Sequence, residues 1–226
     1  MAIDFAVEQG NLQLHANYTE PLFAIWRDTD QLLQRLFVGL SKHGLRLTDL
    51  KWDQSGNSVG DVQLNFYLFN FAVAVRIRID RLEVEVFDIK KVTADQLEEA
   101  VLDLVAGLRT HKPEMAFSAY SVAIGYHGKL TDTPARAFTA QLTIAPRPLG
   151  ASTGAGAVFY YGPEEGRISS AITADLSAVV ADGLFLRTLV VWEGSQVPLN
   201  EVKARMSGYM DRVLDGFGLN IPAPQL

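Results

Sequence analysis

The chain has 226 residues, 48% of them hydrophobic, a formal net charge of −6 and no cysteine. This length and apolar content support a sizeable core, in one domain or two, and exclude global disorder. Without cysteine there are no disulfides, thiolate nucleophiles or sulfur-ligated zinc, and the acidic balance with scattered Lys and Arg argues against a nucleic-acid partner. The longest apolar region, Val62 to Ile79, is broken at strand spacing by Gln63, Asn65, Asn70, Arg76 and Arg78, so no membrane span is expected. The first residues lack the basic start and apolar run of a signal peptide, and the expected setting is cytoplasmic. The Asn17-Tyr18-Thr19 glycosylation pattern would matter only in a secretory pathway.

In chain order, Asn11 to Asn17 alternates and predicts a strand, with Leu12, Leu14 and Ala16 on one face and Gln13 and His15 on the other. Thr19-Glu20-Pro21 then opens a helical stripe of Leu22, Ile25, Trp26, Leu32, Leu33, Leu36, Phe37 and Leu40 that ends at Gly44. Asp28-Thr29-Asp30 leaves open whether this is one helix or two. Leu50 and Trp52 mark a short strand before a polar turn. From Val62 to Leu68 the apolar residues are even-numbered, and from Phe69 to Ile79 they are odd-numbered. That change of phase requires a bulge or a reversal near Asn70, of which the reversal is favoured.

Folding Arg76 to Val86 about Asp80 and Arg81 sets Arg78 opposite Glu83 and Arg76 opposite Glu85, with Ile79/Leu82, Ile77/Val84 and Val75/Val86 on the other face. Thr93-Ala94-Asp95-Gln96 is a capping box ahead of a helix whose stripe is Leu97, Ala100, Val101, Leu104, Val105 and Leu108. Five further strands are expected near Ala116 to Tyr126, Ala137 to Ile144, Ala157 to Tyr161, Ile168 to Leu176 and Leu184 to Trp192. A last helix runs from about Pro198 to the Gly216-Phe217-Gly218 stop.

Strands joined by short turns, with about three helices, define an α+β protein of mainly antiparallel sheet. The chain divides into halves 1–112 and 113–226, each ending in a helix after a meander, either as related units or as one continuous domain. The order loosely resembles helix-grip ligand-binding folds, whose terminal helix lies across an antiparallel sheet, and departs from them in the helix at Thr93 to Thr110.

Residues with catalytic potential are few. Gly56-Asn57-Ser58-Val59-Gly60 matches a serine-nucleophile elbow, but that turn must lead into a helix, and here the strand pattern from Val62 follows. The glycines from Gly150 to Gly156 lack the lysine and hydroxyl residue of a phosphate-binding loop and predict an inter-strand loop. His15, His43, His111 and His127 show no metal-ligand spacing, and His43 and His111 fall at helix C-termini, where the dipole favours a cation. No catalytic residue, metal or cofactor is expected.

The leading expectation is therefore a non-enzymatic protein acting through protein contacts or self-association, with Phe66, Tyr67, Phe69 and Phe71 as candidate interface residues. The alternative is a binder of a small apolar ligand between the curved sheet and the last helix, using His127, Trp192, Met206, Tyr209 and Met210. A serine hydrolase dependent on Ser58 is a third reading.

Overall fold

The computed structural model describes residues 2–23, 29–53, 62–142 and 154–222. The Ser58 pattern, most of the glycine run from Gly150, and residues 24–28, which bear on whether the first helical stripe is one helix or two, lie outside them. The strands are β1 (Ile3–Tyr18), β2 (Lys51–Asp53), β3 (Gln63–Leu68), β4 (Val73–Arg78), β5 (Arg81–Val86), β6 (Phe117–Leu130), β7 (Ala157–Tyr161), β8 (Arg167–Leu176), β9 (Leu184–Glu193) and β10 (Leu219–Asn220). The helices are α1 (Thr29–Leu40), α2 (Ala94–Arg109), α3 (Ala135–Ala140) and α4 (Val202–Phe217). The class is α+β, as the alternation predicts.

All the strands belong to one sheet in the order β2-β3-β4-β5-β1-β6-β9-β8-β7, antiparallel throughout, with β10 added parallel to the start of β1. Each half of the chain follows the same course: a long strand, a helix, a meander whose last strand pairs with the long strand, and a closing helix. The two long strands, β1 and β6, pair with each other down the middle and join the halves into one sheet.

Strand alternation gives the sheet one covered and one open face. A row on the covered face runs Phe66, Val75, Val84, Leu14, Val122, Val190 and Ser170 through successive pairings. All seven are buried. The corresponding open-face row runs Tyr67, Ala74, Glu85, Gln13, Ala123, Leu189, Ala171 and Tyr160. Its charged and amide members, Glu85 and Gln13, both belong to the N-terminal half, and the C-terminal half contributes Ala123, Leu189, Ala171 and Tyr160.

Several local features differ from expectation. Strand β1 begins eight residues earlier than its alternation suggests, because a bulge between Val7 and Gln9 shifts the phase and lets Phe5 reach the core with Leu14. The expected strand at Ala137 to Ile144 is instead α3 as far as it is described. Ala135, Phe138 and Thr139 are its buried residues, the i, i+3, i+4 spacing of a helix, whereas it is Phe138, Ala140, Leu142 and Ile144 that alternate in the sequence, and Pro134 is its N-cap.

The reversal near Asn70 is present. Phe69, Asn70 and Phe71 all have positive φ, at 53°, 52° and 67°. A left-handed residue other than Gly costs about 1–2 kcal/mol, and this turn is held by its surroundings. The Phe69 N–H donates to the His43 carbonyl at 2.8 Å, the Phe71 ring packs on Tyr67, and the Arg46 guanidinium lies 5.0 Å above Phe71.

In the β4–β5 hairpin the faces are as expected but the register is two residues away. Arg76 sits opposite Glu83, Ile77 opposite Leu82 and Val75 opposite Val84. Ile79 and Asp80 form the turn, because their carbonyls accept the Leu22 and Tyr18 N–H groups at 2.7 and 3.0 Å. Ion pairs still connect Arg78 with Glu83 at 3.0 Å and Arg76 with Glu85 at 3.3 Å, now as diagonal neighbours.

Candidate functional site

Helices α2 and α4 lie on the covered face, and their N-terminal turns are tied together by Lys203. Its ammonium meets Asp95 at 2.7 Å and Glu98 at 2.5 Å. The α2 start is fixed by the predicted capping box: the Gln96 N–H donates to Thr93 Oγ1 at 3.2 Å, and the Thr93 N–H donates to Gln96 Oε1 at 3.0 Å. On its other side α2 packs against α1, and His43 Nε2 bonds to Asp103 at 2.8 Å.

Between α2, α4 and the central strands is a cleft of about 690 Å³. That volume lies within the roughly 300–1,000 Å³ typical of small-molecule sites. Leu12 and Leu14 of β1 with Val122 and Ile124 of β6 line its sheet side. Leu97 and Val101 line it from α2, and Met206, Met210 and Leu214 from α4. Ile89, Leu219 and Ile221 contribute where β1 runs past the end of β5 before meeting β10. Leu12 and Ile124 are opposite one another in the two middle strands, yet both are only partly buried. The helices leave this part of the sheet uncovered.

The polar groups around the cleft are Thr93, Glu98, Lys203, Ser207, Tyr126, Asp211, Asp215 and Asn220. Thr93, Glu98 and Lys203 are occupied as described, and Asn220 Nδ2 donates to Asp4 at 2.9 Å. The side chains of Ser207, Tyr126, Asp211 and Asp215 have no hydrogen-bond or salt-bridge partner among the described residues. Burial first, and then the charge of Asp211, push the Tyr126 phenol above its ordinary range.

Two of the five residues expected to bind ligand, Met206 and Met210, line this cleft. Tyr209 lies between them in sequence but turns elsewhere: its hydroxyl is 2.6 Å from Ser170 Oγ, and Arg167 and Arg212 stack on its ring. Trp192 is buried in the covered face, opposite Tyr120. His127 is on the open face, stacked on Phe185 at 4.5 Å, with Nδ1 2.9 Å from Ser177 Oγ. Desolvation lowers its pKa, and the Ser177 hydroxyl also accepts the Val179 and Val180 N–H groups, closing the β8–β9 turn.

Among the aromatics expected at an interface, Phe66 is core and Phe69 packs against the core, whereas Tyr67 and the half-exposed Phe71 form a ring pair at the β3–β4 turn. A second depression of about 720 Å³ lies over the C-terminal half of α2, floored by Phe117 and Tyr120. Its remaining lining is mostly exposed, making it a surface trough.

Sequence reasoning missed the α2 wall, Leu12, Ile124, Tyr126 and the Asp211/Asp215 pair. Their only sequence signal is membership of apolar or amphipathic patterns that serve equally well for a closed core.

His43, Glu99 and Asp103 offer ligand atoms within 4.8 Å of one another, but Lys42 holds both carboxylates, at 2.6 and 2.9 Å. The ammonium stands where a cation would be attracted. Among the described residues no helix is long and apolar enough to cross a membrane.

Fold and cleft together define an α+β protein with one antiparallel sheet and an apolar cleft between its covered face and helices α2 and α4. Compared with protein-family models and with curated proteins, the chain matches none.

Proposed function

We propose that the protein is a non-enzymatic binder that holds a small, largely apolar ligand between the middle of the sheet and helices α2 and α4. The supporting observation is the cleft of about 690 Å³, with its floor of Leu12, Leu14, Val122 and Ile124. Burying an apolar ligand there would remove floor and ligand surface from water together, at roughly 25 cal/mol per Å² before the costs of association. Met206 and Met210, unbranched and polarisable, let one wall adapt to ligand shape. A cytoplasmic setting is part of the proposal.

The test is native mass spectrometry of the full chain against its denatured mass, for the wild type and Met210→Trp. Noncovalent mass on the wild type that is lost in the variant, whose indole fills the cleft, is the expected result. A bare wild type that also fails to bind added octan-1-ol would overturn the reading.

Self-association is a second proposal, supported by the open face of the C-terminal half. Tyr160 there is 81% exposed and Val158 47%, both on β7, the last strand of the sheet among the described residues. The same spectrum counts subunits: a dimer supports it, and a monomer across the concentration range removes it.

A further inference from the structure

We infer that the ligand of the α2–α4 cleft is a cationic amphiphile, with its apolar body among Met206, Met210 and Ile124 and a protonated amine between Asp211, Asp215 and the Tyr126 hydroxyl. The inference rests on the proposed reading of the cleft as a ligand site and specifies the class of ligand.

Three observations carry it. The first is charge complementarity. Among the described residues Lys203 is the one cation on the lining and is occupied by Asp95 and Glu98, whereas Asp211 and Asp215 have no cationic partner. The second is their position. Asp215 stands in the last turn of α4, at the negative end of the helix dipole, with Asp211 one turn before it, and that last turn contains no basic residue. Two like charges at i, i+4 also repel. An isolated helix would be better off with lysine at either position, and a bound cation relieves both conflicts.

The third observation is the chemistry of the free groups. Beside two carboxylates, which only accept, stand the Tyr126 and Ser207 hydroxyls, which accept as well as donate. A primary ammonium supplies three donors and a positive charge. A carboxylate ligand would bring a third anion, and a neutral alcohol would leave the carboxylates uncompensated.

The experiment is isothermal titration of the full chain with octylamine, octan-1-ol and octanoate, for the wild type, D211N/D215N and Met210→Trp. Octylamine is expected to bind about tenfold tighter than octan-1-ol, with octanoate weakest; tenfold is what two charge contacts to the exposed Asp211 and Asp215 can supply. The advantage of amine over alcohol should disappear in D211N/D215N and shrink as salt is raised. Equal binding of amine and alcohol by the wild type, or an amine preference that survives D211N/D215N, would overturn the head-group inference while leaving the cleft as an apolar site. If no octyl compound binds the wild type, or if all three bind Met210→Trp equally well, the cleft reading falls and the inference with it.

Discussion

Thr188 places a hydroxyl on the covered face between Ile124 and Ile172, fully buried, and its Oγ1 has no hydrogen-bond partner among the described residues. A hydroxyl desolvated in this way costs roughly 1–3 kcal/mol, whereas a methyl of the same shape costs nothing. Thr188→Val should therefore stabilise the protein by about 1 kcal/mol, read as a higher urea midpoint with unchanged slope. An equal or lower midpoint would mean that the hydroxyl has a partner. Single residues were the least legible scale in the sequence. His127, Trp192, Met206, Tyr209 and Met210 were grouped by chemical type, but strand parity sends His127 to the open face and helical phase turns Tyr209 toward Ser170. Only Met206 and Met210 reach the cleft.

At the scale of elements, the β4–β5 hairpin offers the clearest test. Glu83 is 7% exposed and is paired with Arg81 at 2.6 Å and Arg78 at 3.0 Å. Burial alone would raise its pKa, but the hydrogen bond from Arg81 and the charges of Arg78 and Arg81 outweigh that and hold the carboxyl below its ordinary range. A depressed folded-state pKa means that the stabilisation is fully present above the unfolded value, near 4.3, and is lost as pH falls through the lower folded value. Glu83→Gln should cost about 2 kcal/mol at neutral pH. The difference from wild type should narrow in acid, measured by urea unfolding across the pH range. Parallel profiles would rule out a specific contribution from this carboxylate. Elements were also the most legible scale, since alternation and the Thr93 capping box are local. Register was less so: strand parity alone cannot separate pairings that differ by two residues, and the choice was made by Tyr18 and Leu22 bonding to the turn carbonyls. At Ala135–Ala140 the structure has a helix where alternation predicts a strand, because six residues are too few to separate the two periodicities.

Across the whole molecule, the sequence suggested two halves, each a meander closed by a helix, and the structure joins them in one sheet through β1 and β6. The cleft was legible only as a possibility, between sheet and last helix. Its second wall is α2, from the other half of the chain, and such a meeting leaves no mark in either segment. The same distance between partners has a consequence during synthesis. If β1 pairs with β5 as the chain leaves the ribosome, it does so while the segment that will become β6 is still being translated. For that interval a strand of 16 residues has a bare flank of unpaired N–H and C=O groups, open to any similar strand nearby. Residues 1–112 made alone should therefore associate or aggregate, and co-expressed residues 113–226 should rescue them by supplying the missing neighbour, an outcome that sedimentation of the two preparations would distinguish.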